Sequence, residues 1–231
     1  MIKHRFTRIV VWSLITMGAV SVVAQSSPPF TQAELEGIYT ASIEKRTADI
    51  LEELALTDSN NVVKVHDAIM AQYRTLRARD EAIDGMLTAL SRNAPGAETN
   101  RLAILPILSQ TLHERFLAKL SAELTPEQVE KVKDKMTYNK VKFTFDAYCE
   151  IVPGLADKDK ARILEALKAA REEAMDGGSA DEKSAIFQKY KDRINAYLNA
   201  QGHNVTKALE DWEARQELAK QAKDVSAPNA P

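Results

Sequence analysis

A single cysteine, Cys149, among 231 residues excludes an intrachain disulfide, so packing alone must hold this chain together, even in an oxidising compartment. The run Tyr148-Cys149-Glu150-Ile151-Val152 offers no histidine and no CxxC partner, and the thiol is expected to be buried and inert. Glycine and proline are also scarce, eight of each. With both helix breakers thinly spread and long stretches of Ala, Leu, Glu, Lys, Gln and Arg between them, helices are favoured over a sheet-rich fold. An excess of positive charge is missing too, since the formal net charge is -2. Nothing in that balance attracts nucleic acid, which is set aside as a partner.

The constellations that mark catalysis or metal binding are absent as well. The four histidines, His4, His66, His113 and His203, are scattered. His113-Glu114 opens like a zinc-protease helix, but Leu117 stands where the second histidine belongs. Gly177-Gly178-Ser179 lacks the GxSxG pattern of a nucleophile elbow and reads as a helix C-cap followed by an N-cap. No catalytic residue, metal ligand or cofactor is assigned from these motifs.

What the chain does have begins at its N-terminus. Lys3, Arg5 and Arg8 precede an apolar run from Ile9 to Val23, and Val22-Val23-Ala24 supplies small residues before Gln25. This is the layout of a cleavable export signal, with a core too short for a comfortable membrane span. The expected mature protein starts at Gln25, carries a formal charge of -5 once the three basic residues are lost, and works in a periplasm or outside the cell with no transmembrane span. No cysteine follows the cleavage site to carry a lipid.

Helix-start signals recur along the rest. Thr31-x-x-Glu34, Thr125-Pro126-Glu127-Gln128 and Ser179-x-x-Glu182 each place a hydroxyl three residues before an acid or amide, the capping-box pattern. Gly177 and Gly202 suit left-handed C-caps. Val62, Ile69, Leu76, Ile83 and Leu90 recur at sevens and predict one long helix with an apolar seam. A second row, His66, Tyr73, Asp80 and Leu87, is expected along its solvent edge. Further helices are expected at about 31–55, 98–122, 126–137, 158–175, 180–200 and 205–223, with Pro106 either kinking the second of these or marking its start. Residues 141–148 read both ways: Val141, Phe143 and Phe145 alternate as in a strand, whereas Val141, Phe145, Tyr148 and Val152 fit a helix, the preferred reading. The expected architecture is all-α, a single-domain bundle of about six to seven helices over 25–223, preceded by the signal at 1–24 and followed by a disordered tail at 224–231.

Two segments hold more mixed polar and aromatic residues than packing requires. The first, 124–139, reads Leu124-Thr125-Pro126-Glu127-Gln128, then Val132-Lys133-Asp134 and Met136-Thr137-Tyr138-Asn139. The second carries Ala170-Arg171-Glu172, Ala174-Met175-Asp176, Gly178-Ser179 and Glu182-Lys183, followed by Phe187, Lys189-Tyr190-Lys191, Arg193-Ile194-Asn195 and Tyr197-Leu198. On these blocks the chain resembles an exported bacterial family known as domain of unknown function 3826, over about 48–212. The resemblance implies an exported, mostly helical protein without an established activity, and a link to polysaccharide use. The chain departs from the family pattern at Asp192, Ala196 and His203-Asn204, where Gly, Asn and Tyr-Asp are expected. Thr125-x-x-Gln128 is also similar to the LTxxQ helix starts of small periplasmic chaperones of the Spy and CpxP type, though Thr-x-x-Gln is equally a plain capping box.

Between residues 131 and 142 five lysines face one acid, Asp134, with Tyr138 and Phe143 among them. Such a surface suits an acidic oligosaccharide, or else is a solvated helix face whose lysines pair with Glu127 and Glu130. The preferred functional expectation is a non-enzymatic protein binding a ligand or an envelope protein in a groove lined by Lys133, Tyr138, Asn139, Arg171, Lys189, Arg193, Asn195 and Tyr197. Two alternatives stand beside it. One is a carbohydrate-active hydrolase or lyase using Glu172, Asp176 and Glu182, which fails if these carboxylates point to solvent and apart. The other is a chaperone-like protein with an exposed apolar face. Oligomeric state stays open.

Overall fold

A computed structural model describes residues 30–91 and 97–226, with side chains described outside 90–104 and 222–226. The expected signal sequence, and the tail beyond Ser226, lie outside the described residues. Eight helices and no strand are found among the described residues: α1 (Gln32–Leu54), α2 (Ser59–Ser91), α3 (Ala97–Ser121), α4 (Pro126–Met136), α5 (Lys140–Ile151), α6 (Asp157–Met175), α7 (Ala180–Ala200) and α8 (Val205–Ser226). The all-α expectation holds, and the expected count of six to seven is corrected to eight. The added helix is α5, the segment whose periodicity was ambiguous. Its buried positions are Val141 and Tyr148, joined by Val152 just past its end, with Phe145 half-buried, while Phe143 is exposed. That is the helical set, with the strand-like alternation broken at Phe143. Cys149 falls outside that set and is exposed, not buried as expected.

The caps show why the helices begin where they do. Thr31 N–H donates to Glu34 Oε2 at 2.7 Å and Glu34 N–H donates back to Thr31 Oγ1 at 3.2 Å. Thr125 and Gln128 repeat the exchange at 3.0 and 3.3 Å, with Pro126 at the first helical position, where its missing donor costs nothing. At α7, Ser179 Oγ accepts from Glu182 N–H at 3.0 Å, but the Glu182 carboxylate accepts from Gly178 N–H at 2.9 Å. Gly202 has the expected left-handed backbone, φ +92°. Gly177 does not, because α6 ends on Asp176 in a right-handed conformation. Glycine is needed here for space, most of all at Gly178, where a Cβ would lie 1.8 Å from Asp80 Oδ2. The Gly178→Ala variant is expected to lose about 1 to 2 kcal/mol by overpacking, since Asp80 is held by Arg79 through Oδ1. A denaturant titration with an unchanged midpoint would show that Asp80 simply swings aside.

Side chains bury in two clusters. The first joins α1 to α4 through Ile43, Ile50, Ile69, Leu120 and Val132; the second joins α5, α6 and α7 through Tyr148, Ile163, Leu167, Phe187 and Leu198, with Val205 and Ala208 of α8 packed against it. Each such fully buried aliphatic or aromatic side chain contributes roughly 1.5 to 3 kcal/mol relative to exposure. The two clusters meet where α4 packs against α6, and Met175, the last residue of α6, belongs to the first cluster. In α2 the seam residues Ile69, Leu76 and Ile83 are buried. The flanking row is not a solvent edge throughout, because Tyr73 and Leu87 are buried too: a long helix packed on both α1 and α3 needs a wider apolar stripe than one seam supplies. Pro106 lies inside α3, which neither starts nor stops there.

Candidate functional site

The turn from α6 to α7 is the polar hub of the molecule. His113, from α3, sits between two carboxylates one helical turn apart on α6, with Nδ1 3.2 Å from Asp176 Oδ2 and Nε2 3.6 Å from Glu172 Oε2. The bonds to Asp176 and then Glu172 raise the His113 pKa to about 9. Burial works to raise Glu172, but its bonds from His113 and Lys133 prevail and hold it at about 2. On the other flank of α6, Arg171, with its side chain 4% exposed, donates to Glu130, to Asp134 at 2.7 Å and to Glu172 at 3.0 Å. Burial disfavours that guanidinium, yet its bonds to Asp134 and Glu130 keep it more firmly protonated than usual. Lys183 is buried and donates to the carbonyls of Ala174 and Met175 at 2.8 and 3.2 Å, closing the end of α6. Desolvation lowers it to about 8. Arg79 reaches the same place, donating to Ser109 Oγ at 2.9 Å and to Asp176 O at 2.8 Å.

A cleft of about 390 Å³ opens beside this hub, with His113, Glu172, Asp176 and Glu182 in its wall over Leu105 and Ile186. The three acids of the enzymatic alternative therefore share one cleft. Two of them already hold an imidazolium, and the third caps a backbone amide. A protonated histidine near 9 and a carboxylate near 2 lie far from the range in which a side chain exchanges protons at neutral pH. No group of three or more His, Cys, Asp or Glu among the described residues is placed to hold a metal. The hub reads as architecture.

The joint between α4 and α5 differs. Tyr138 and Asn139 are consecutive non-glycine residues in the left-handed region, φ +60° and +55°. Such residues cost of order 1 to 3 kcal/mol each and cluster at functional sites. Asn139 precedes α5 without capping it through its side chain, and Tyr138 is 38% exposed. They border a cleft of about 320 Å³ shared with Arg46, Asp49, Glu52 and Tyr73. Tyr73 is buried enough that desolvation raises its phenol to about 12. The side chains of Arg46, Asp49 and Glu52 make no ion pair or hydrogen bond among the described residues. Donors, acceptors and an aromatic edge thus face one cavity without being used up by the fold.

A family model described as "Protein of unknown function (DUF3826)" matches residues 40–217. The chain belongs to that family. Curated proteins include no match to it.

In this DUF3826 member, packing accounts for nearly every residue of the blocks that carry the likeness. Leu124, Val132 and Met136 are core, Thr125 and Gln128 cap, and Thr137 Oγ1 donates to Lys133 O at 2.9 Å. Met175, Phe187, Ile194 and Leu198 are core, and Arg171, Asp176, Gly178, Ser179, Glu182 and Lys183 build the hub. Tyr138, exposed and strained, is among the residues left over.

The eight expected groove residues occupy several neighbourhoods. Tyr138 and Asn139 come together at the strained joint. Lys133, 3.0 Å from Glu172, and Arg171 belong to the ion cluster between α4 and α6. Lys189 pairs with Glu173 at 2.8 Å and lies beside Tyr190, on which Arg193 stacks at 4.9 Å. Asn195 Oδ1 accepts from Tyr148 O–H at 2.7 Å, and Tyr197 O–H donates to buried Asp159 at 2.9 Å. Four of the five patch lysines are engaged: Lys131 with Glu53 O, Lys133 with Glu130 and Glu172, Lys135 with Glu53, and Lys142 with Asp146. Sequence reasoning missed Arg46, Asp49, Glu52 and Tyr73. They lie on α1 and α2, far in sequence from the motif, and nothing in their spacing marks them.

Proposed function

We propose that this chain is an exported, non-enzymatic binding protein that takes a sugar residue of an oligosaccharide in the cleft at Tyr138 and Asn139. The observation that carries the reading is the strained pair itself, held at the rim of a cavity in which Arg46, Asp49 and Glu52 make no ion pair among the described residues, while Lys135 beside them pairs with Glu53. A sugar ring presents hydroxyls that both donate and accept, and an apolar face that stacks on an aromatic side chain. Arg46 and Asn139 supply donors, Asp49 and Glu52 acceptors, and Tyr138 the platform. Because the two cations of the lining, Arg46 and Lys135, are balanced by Asp49 and Glu52, a neutral ring fits better than the acidic one expected from the lysine patch. Export rests on the N-terminal signal pattern, and the absence of any described helix long and apolar enough to cross a membrane is compatible with it.

The test separates binding from stability. Tyr138→Asn keeps a residue that tolerates the left-handed region, so the variant is expected to be as stable as the parent or about 0.5 to 1 kcal/mol more so. Its affinity for the oligosaccharide should fall at least about tenfold with loss of the stacking platform. For the parent, a ligand at 100 times its dissociation constant adds about 2.7 kcal/mol. If no neutral or acidic oligosaccharide in a panel raises the melting temperature, or if Tyr138→Asn binds as the parent does, the reading is wrong.

A further inference from the structure

We infer that a second site, independent of the sugar cleft, binds a single-chain amphiphile with an anionic head, of the alkyl carboxylate type, in the groove between α5, α7 and α8. The groove measures about 360 Å³, near the low end of small-molecule sites of roughly 300–1,000 Å³, room for one alkyl chain and not for a two-chain lipid. Its walls are apolar and open: Phe143 is 65% exposed and Leu209 40% exposed, with Val205 beside them. A water-facing phenylalanine and leucine on one cleft gain roughly 25 cal/mol for every Å² a ligand covers.

Charge selects the head group. The other four clefts described for this molecule are each lined by at least two carboxylates. This groove is lined by none and carries one cation, Lys191. In a mildly acidic chain it is, of these five clefts, the one whose lining favours an anion. Lys191 makes no ion pair among the described residues. Two carboxylates sit near the groove without lining it: Asp192, beside Lys191, whose charge reaches the Tyr148 phenol and which accepts from Gln188 at 2.8 Å, and Glu150 on α5, which accepts from Trp212 at 2.9 Å. Tyr148 O–H donates to Asn195 Oδ1 at 2.7 Å and is thereby turned away as a donor, which leaves the Asn195 amide nitrogen, without a partner among the described residues, as the second donor to an anionic head. In the tail of the family-like motif, Lys191 thus acquires a use, and Asn195, which also holds the Tyr148 hydroxyl, a second one.

Calorimetric titration of the purified protein with decanoate, kept below its micelle-forming concentration, tests this. Saturable binding at one site is expected, and decanol should bind more weakly. Lys191→Gln should weaken decanoate by about tenfold, the worth of one charge-assisted hydrogen bond, and leave decanol unchanged. Phe143→Ala, at an exposed position where folding is not at stake, should weaken both. Absence of saturable decanoate binding overturns the proposal, as does equal decanoate affinity in Lys191→Gln. Binding to anionic vesicles without binding of monomeric decanoate also overturns it, since that would mark a membrane surface and not a single-chain site.

Discussion

Arg171→Ala is expected to cost about 2 to 4 kcal/mol of stability, toward the low end of what removing one member of a buried ion pair costs. The reason is the asymmetry of the cluster. Arg171 is 4% exposed and faces Glu130, Asp134 and Glu172, each more than a third exposed. Once the guanidinium is gone, water can reach the carboxylates, which limits the loss, but Glu130 and Glu172 are then left with Lys133, and Glu172 with His113, while Asp134 loses its cation. The cluster also ties α4 to α6, where the two cores meet, so the loss should be felt by both. For a chain of this size the melting temperature should fall by roughly 5 to 15 °C. Arg171→Met, which keeps the stem and discards the charge, should recover part of it if packing contributes. A fall of less than about 1 kcal/mol in urea unfolding would instead place Arg171 among ordinary surface pairs, and its retention in a family-like block would need another reason.

The second large effect is a loss of stability as pH rises above neutrality, carried by His113. Its pKa is raised from an ordinary 6.5 to about 9 in the folded chain. A group whose folded pKa lies above its unfolded value contributes fully below the unfolded pKa and loses that contribution as pH climbs through the folded one. The window is therefore 6.5 to 9, and by pH 8 about 2 kcal/mol should be gone. Lys183 acts with the opposite sign at higher pH. Its folded pKa is lowered to about 8, so the unfolded chain binds the extra proton between there and the ordinary lysine value, and stability rises with pH across that interval. The histidine effect is thus cleanest from pH 6.5 to 8. Melting temperatures of the parent should decline across that range, while His113→Gln starts lower and declines much less, the remaining slope coming from His66, whose pKa is also raised by its bonds to Asp67 and Glu44. A parent that melts at the same temperature at both ends would show that the imidazole is not held as a cation by Asp176 and Glu172. On the acid side Glu172, held at about 2, retains its contribution until pH falls below the ordinary carboxylate range.

The hub also gives three residues singled out from the sequence structural partners that the sequence does not announce. Arg171, Lys133 and Glu172 look like ligand-binding groups when read along the chain, because polar residues dense in a motif are as common in sites as in ion clusters. Which they are depends on whether opposite charges from other helices meet them. Here α4 brings Glu130 and Asp134 to Arg171, and α3 brings His113 to Glu172. The capping boxes had no such dependence. Thr31, Thr125 and Ser179 act on amides within a few residues of themselves, so their meaning is complete in the local sequence.

The same distinction divides the rest of the protein. Helix content, the starts of α1, α4 and α7, the apolar seam of α2 and the family were legible in the sequence, because propensity, capping and periodicity are interactions of short range. The helical state of 140–151 was only half legible, since its pattern satisfied two periods and the choice fell to the packing of Val141, Tyr148 and Val152 in the second core. Tertiary structure alone decided that Cys149 faces outward, that Gly178 serves close approach to Asp80, and that Tyr138 meets Arg46, Asp49, Glu52 and Tyr73 across α1, α2 and the α4–α5 joint. These are juxtapositions of residues distant in sequence, and no local rule encodes them.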